Sequence, residues 1–158
     1  MAVDYFLKLD GITGESQDSN HKNEIQIMSF SWGASQTSSV GGATGSGAGK
    51  VSLDGFSIMK AVDKASVSLF KSITGGTHIA TGTMTANKAG GGGKVFLKVD
   101  FKELFVTSYQ LSGSSEVPME SVSFSYKTIA IEYSTQDTKG ITSSAGKATY
   151  DVKENKLS

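Results

Sequence analysis

Three stretches of this chain carry residue types that do chemistry elsewhere, and each can be held against the spacing that chemistry requires. The run GSGAGK, Gly45 to Lys50, invites comparison with a phosphate-cradling loop. Such a loop needs a glycine five residues ahead of its final Gly-Lys, so that backbone N–H groups can wrap the phosphates, and a hydroxyl residue after the lysine to hold magnesium. Those positions hold Thr44 and Val51, and strand-like residues follow where a helix should open, so the run reads as a flexible glycine connection. GGGGK, Gly90 to Lys94, fails in the same way. DSNHKNE sets Asp18, Asn20 and Glu24 at positions that suit calcium, but Asn23 stands where the sharp turn of a calcium loop requires glycine. A polar turn closed by side-chain to backbone bonds is the better reading. The histidines are His21 and His78, too few for a three-histidine metal site and without a serine–carboxylate pattern beside them. Glu116 with Glu120, and Asp100 with Glu103, have lysines close by and read as solvated surface charges rather than as a glycosidase pair, which needs a cleft and a desolvated acid. Phe30, Trp32, Tyr126 and Tyr133 have faces that can stack on a sugar, but strand aromatics are usually core or interface. The expectation is no catalytic set, no cofactor and no metal.

Composition points the same way. With 158 residues, one domain over 1–158 can bury roughly two thirds of the surface its unfolded chain exposes. Lys plus Arg and Asp plus Glu both number 15, so no net field favours nucleic acid or an anionic membrane. The chain has no cysteine, which removes disulfides, thiolate metal sites and cysteine nucleophiles together. No secretory signal is visible in MAVDYFLKLDG, and no apolar run approaches the ~20 residues that span a bilayer. The 19 glycines outnumber the single proline and cluster at 41–49, 75–76 and 90–93, which marks connections between ordered elements.

The elements follow from periodicity. Val3, Tyr5, Leu7 and Leu9 alternate with mostly polar residues and predict a first strand. A polar loop then feeds a long strand from Glu24 to about Gln36, with Ile25 and Ile27 at odd positions and Met28, Phe30 and Trp32 at even ones. A strand whose apolar parity flips carries a bulge or is covered on both faces. Thr37 to Gly49 has almost nothing to bury and predicts an exposed, mobile loop; Lys50 to Ile58 resumes strand character with a bend at Asp54-Gly55. One helix is predicted over about 63–74, with Asp63 or Ser66 at its start, Val67, Phe70 and Ile73 spaced by three beside Leu69, and Gly75-Gly76 closing it. Strands are predicted over His78 to Lys88, Lys94 to Leu111, Met119 to Tyr133 and Lys147 to Val152, with a hairpin loop over 89–93 and parity switching at Lys127-Thr128. Strands that change face midway argue for a mainly β fold: a small β-barrel of two curved antiparallel sheets, one short flanking helix and a long Gly-rich loop.

DYFLKLDGITGESQDSNHKNEIQIMSFSWG, GAGKVSLDGFSIMKAVDKAS, KAGGGGKVFLKVDF and PMESVSFSYKTIAIEY, in this order from about Ala2 to Lys156, resemble the haemolysin-coregulated protein (Hcp) family of bacterial type VI secretion machines. Val67 stands where that family often has proline, and Tyr150 where tryptophan is common. The resemblance implies a β-barrel subunit of a homohexameric ring whose copies stack into a hollow tube, fired with a tip spike protein inside a contractile sheath and carrying effector proteins in its lumen. It implies manufacture in the bacterial cytoplasm and export through the apparatus without a cleaved signal peptide; the short stretch after the last predicted strand leads to the expectation of no appended effector domain, and the balanced charge and lack of a long apolar run to that of no nucleic acid and no membrane insertion. The resemblance also implies a ring-stacking role for the Gly-rich loop, through Ser38, Ser39, Val40, Gly41, Gly42, Thr44, Ser46 and Lys50. Phe30 and Trp32 are expected to mark an assembly strand, because a ring subunit buries apolar surface against two neighbours. The competing reading is a monomeric glycan-binding β-sandwich, supported by aromatics and loops.

Overall fold

The computed structural model describes residues 2–39, 47–89 and 94–158. The chain runs β1 (Val3–Leu9), β2 (Ile25–Ile27), β3 (Ser29–Ser31), β4 (Ala34–Ser39), β5 (Gly47–Leu53), β6 (Phe56–Ala61), α1 (Ala65–Gly75), β7 (Ile79–Lys88), β8 (Val95–Ser112), β9 (Met119–Gln136), β10 (Thr142–Asp151) and β11 (Lys156–Leu157). Among the described residues every strand pairing is antiparallel and there is one helix, so the mainly β expectation with a flanking helix holds.

The framework is the pair β8 and β9, and both strands change their buried face at the same level. On β8, Phe101 and Leu104 are buried on either side of Glu103, whose φ of 53° is a left-handed conformation that costs a non-glycine residue energy. On β9, Phe124 is buried before the switch and Ile129 after it. Lys102 pairs with Thr128 and Leu104 with Tyr126, so the register runs unbroken through the two turning points. Side chains alternate faces with period two, and this shared twist therefore carries both strands around a corner from one layer into the other. Beyond it the neighbours of β9 change: its first half pairs with β6 from Phe56–Phe124 to Ala61–Met119, its second half with β10.

The parity flip in the strand after Glu24 has a similar resolution. Ile25 and Ile27 face the core from β2, which pairs with β1; Phe30 packs on the core from β3, which pairs with β6. Between them Met28 and Ser29 both point outward, and the Met59 carbonyl opposite Ser29 also accepts the Met28 N–H at 2.8 Å. The extra residue lets one segment serve two sheet layers. The layers meet at this seam, so the predicted barrel takes the form of two curved antiparallel sheets rather than an uninterrupted closed barrel. Between them lies one apolar core including Leu7, Ile25, Phe56, Ile58, Leu69, Met84, Phe101, Leu104, Val122 and Phe124.

Several expectations need correction. Thr37 to Gly49 is not simply a loop: β4 reaches Ser39 and β5 starts at Gly47, with Ser38 opposite Ala48 and Ser39 opposite Gly47. A ladder bonds through the backbone, so it needs no apolar side chains. The predicted strand from Lys50 to Ile58 is two strands in different sheets, broken at Asp54-Gly55. In α1 the core-facing residues are Ala65, Ser66, Leu69 and Ser72, whereas Val67 and Phe70 are exposed. The helix ends lie close to the predicted ones: the Asp63 carboxylate accepts the Ala65 N–H at 2.9 Å, Ser66 Oγ accepts the Asp63 N–H at 2.9 Å, and Gly76 adopts φ 62°. The strand predicted over 147–152 begins at Thr142, and the charged tail adds β11. The hairpin loop at 89–93 lies, apart from Ala89, outside the described residues.

Candidate assembly surface

Phe30 and Trp32 sit in a line of aromatics that crosses the core. Phe30 meets Tyr5 edge-on at 5.3 Å and stacks on Phe56 at 5.8 Å; Phe56 meets Phe101 at 4.8 Å, and Phe101 meets Tyr126 at 5.3 Å. Trp32 closes the line by donating its indole N–H to the Tyr126 hydroxyl at 2.5 Å, and that hydroxyl donates to the Asp54 carbonyl at 2.8 Å. Burial pushes the Tyr126 phenol upward, an effect the Trp32 bond offsets in part. Both residues are half-buried and pack inward; the exposed apolar residue of this segment is Met28, at the seam.

Just beyond Trp32 the chain leaves the body. β4 and β5 form a two-stranded sheet that, among the described residues, pairs with no strand of the main sheet. Its base is tied by the Asp54 N–H to the Gly33 carbonyl at 2.9 Å, and Val51 and Leu53 are half-buried. Ala34, Ser35, Gln36, Thr37 and Lys50 are exposed. Lys50 lies partway along the arm, where the register slips between Gln36 and Ser38, rather than at its base. The predicted stacking positions Ser38 and Ser39 are in β4, whereas Val40, Gly41, Gly42, Thr44 and Ser46 lie outside the described residues.

A second exposed feature lies beside α1. Val62, Val67, Phe70, Leu111 and Pro118, with the Tyr109 ring and Ser66, line an apolar groove of about 650 Å³. Phe70 and Tyr109 meet edge-on at 6.2 Å.

Beneath this groove sits a polar cluster that the sequence reading missed. Glu120, read as a surface charge, is fully buried, and so is Lys60. Glu120 Oε1 accepts hydrogen bonds from Lys60 Nζ at 2.5 Å and Ser66 Oγ at 2.6 Å, and Oε2 accepts one from the Tyr109 hydroxyl. Lys60 also pairs with Asp63 Oδ1 at 2.8 Å. Burial alone raises the Glu120 carboxyl, but the bonds from Lys60, Ser66 and Tyr109 outweigh it and hold the group below the ordinary carboxylate range. Burial and then the Glu120 bond push the Tyr109 phenol from 10.0 to about 12. Parity was the available signal. Lys60 shares its strand face with Phe56 and Ile58, and Glu120 shares its face with Val122 and Phe124. Lys60 thus lies between two carboxylates, 2.8 Å from Asp63 and 2.5 Å from Glu120.

The other chemistry-bearing stretches resolve as structure. Asp18 accepts the Asn20 N–H at 2.9 Å, and His21, stacked on Phe6 at 4.4 Å, bonds Glu24 at 3.0 Å and Asn87 at 2.7 Å. Among the described residues no group of three or more His, Asp or Glu is placed to hold a metal ion, and no helix is long and apolar enough to cross a membrane. Gly47 to Lys50 of the GSGAGK run are strand, and the element that follows β5 is another strand, β6.

Comparison with known proteins agrees with this architecture. A family model described as "Type VI secretion system effector, Hcp" matches residues 6–133. Protein hcp1 of Pseudomonas aeruginosa is 33% identical over 143 residues, covering 89% of this chain and 88% of its own. Among solved structures, one described as a type six secretion system protein superposes with a TM-score of 0.92 at 31% identity, over 99% of this chain and 100% of its own. Hcp1 of Salmonella typhimurium gives 0.82 at 37% identity, over 100% of both chains. A type VI secretion system effector of Yersinia pestis gives 0.77 at 32%, over 94% of this chain and 100% of its own. With one core between two curved sheets and a matched segment spanning β1 to β9, the chain belongs to the Hcp family of type VI secretion system proteins.

Proposed function

We propose that this chain is a structural subunit of the type VI secretion tube: six copies close into a ring, rings stack, and the hollow tube travels with a tip spike protein inside a contractile sheath, carrying effectors in its lumen. The observation that carries the reading is the β4–β5 arm, a separate two-stranded sheet that, among the described residues, pairs with no strand of the main sheet. A two-stranded hairpin alone is marginal in water, so an arm of this kind is best accounted for by a partner that holds it. A strand edge can template pairing with a neighbouring copy, and Ser38, Ser39 and Lys50 lie on this arm. Val40, Gly41, Gly42, Thr44 and Ser46 are assigned the same stacking role by the family resemblance alone. Exposed Met28, Val67 and Phe70 add apolar surface of the kind that a closing head-to-tail contact buries.

The test is light scattering after size exclusion, with negative-stain imaging. A six-fold ring supports the reading, and a strict monomer at high concentration removes it. Lys50→Glu then separates the two levels of assembly: single rings that no longer stack place the arm between rings, and tubes indistinguishable from the parent take that role away from Lys50.

A further inference from the structure

The helix has a weak apolar hold on the body. Only Ala65 and Leu69 are its fully buried apolar residues, with Ile73 packed at the margin, while Val67 and Phe70 look outward. Two further buried positions, Ser66 and Ser72, are hydroxyls. What fastens the start of α1 is polar. Ser66 donates to Glu120 at 2.6 Å, accepts from Lys60 at 3.4 Å and accepts the Asp63 N–H at 2.9 Å. Asp63 Oδ1 holds both Lys60 and the Ala65 N–H. Three strands contribute one member each: Lys60 from β6, Tyr109 from β8 and Glu120 from β9. Asp63 from the connection completes the titratable set.

We propose that the Lys60–Asp63–Ser66–Tyr109–Glu120 cluster is an acid-releasable latch, which lets α1 detach from the sheet as a unit while the sheet stays folded. A carboxylate at the centre accepts three bonds at once; protonated, it becomes a donor, and Lys60 and Tyr109 no longer share a common anion. Little apolar area then opposes opening of the helix, whereas β8 and β9 remain held by their ladder and by the core. Tyr109 joins the latch to the groove, because its hydroxyl binds Glu120 while its ring faces Phe70. Detachment of α1 therefore opens the groove from the side of the helix.

Hydrogen exchange with mass spectrometry tests this on the full chain, with rates corrected for intrinsic exchange at each pH. As pH falls from the ordinary carboxylate range toward the lower folded value of Glu120, exchange in 65–75 should rise more than about tenfold ahead of exchange in 97–106 and 122–131. Tyr109→Phe keeps the ring and removes one donor to Glu120, so it should shift helix release to higher pH and leave the sheet unmoved. Glu120→Gln, if it folds, should show the helix exchanging fast at every pH. Simultaneous loss of protection in helix and sheet, or a Tyr109→Phe profile that coincides with the parent in 65–75, overturns the proposal.

Discussion

Replacing Lys60 by methionine removes the ammonium and keeps most of the stem that fills its place beneath α1. The parent pair is fully buried with nitrogen and oxygen 2.5 Å apart, so the variant leaves a buried carboxylate with only the Ser66 and Tyr109 hydroxyls as donors. Breaking one side of a buried pair typically costs about 3–5 kcal/mol. For a chain of this size each kcal/mol moves the thermal midpoint by roughly 2–4 °C, so a fall of roughly 6–20 °C is expected near neutral pH. In the double variant Lys60→Met/Glu120→Leu no carboxylate remains to be desolvated, and apolar replacement of a buried pair is often near neutral. Recovery will be partial, because Asp63, Ser66 and Tyr109 each lose a partner. Urea unfolding of the parent, both single variants and the double variant gives the coupling directly, repeated over a range of protein concentrations because subunit association adds stability by mass action. A single variant within about 1 kcal/mol of the parent, or a double variant as unstable as the sum of the singles, would refute the reasoning.

The acid limb of stability should follow Glu120. Its folded carboxyl lies below the ordinary range, so the stability it adds is present above the unfolded pKa and lost as pH falls through the folded one; Glu120→Gln should flatten that limb in urea midpoints measured against pH. Tyr109 has the opposite sign: raised from 10.0 to about 12, its contribution is intact below pH 10 and lost as pH rises toward 12, a loss that Tyr109→Phe should abolish in the same assay. A Cβ on Gly14 would lie 2.4 Å from the Glu24 carbonyl oxygen, whereas one on Gly82 would meet the movable end of Leu9 at 2.9 Å. Gly14→Ala should therefore cost more than Gly82→Ala, on the scale of about 1–3 kcal/mol for overpacking, read by thermal unfolding. Phe56→Ala should cost about 3–5 kcal/mol, while Phe70→Ala, exposed in the subunit, should stay within about 0.5 kcal/mol at concentrations where the chain is monomeric.

Much of the scaffold was legible because it is written in local patterns. Alternation in Val3 to Leu9 and the caps of α1 act over a few residues, and the structure has the strand and both helix ends where those patterns put them. The parity switches at Met28 and near Lys127 were visible as well, but not their purpose. Only pairing shows that Met28 marks a change of partner from β1 to β6, and that the switch on β9 lies beside the strained Glu103 of β8. Phe30 and Trp32 read as a surface for neighbours, and only the fold shows that Tyr5, Phe56 and Tyr126 also pack against them, leaving both half-buried in the single chain. The polar arm was misread in the opposite direction, since backbone ladders leave no trace in side-chain hydropathy.

By itself the sequence determined the class: strand faces, one capped helix, no cysteine, no balance of charge toward polyanions, and a run of segments shared with one family. Tertiary structure alone decided which charges are buried. Lys60 and Glu120 are separated by 60 positions, and neither has a local reason to leave water. Each is stable inside only because the pairing of β6 with β9 places the other opposite it, with Ser66 and Tyr109 to take up the remaining hydrogen bonds. Burial of a charge depends on its partner, and partners are set by the fold.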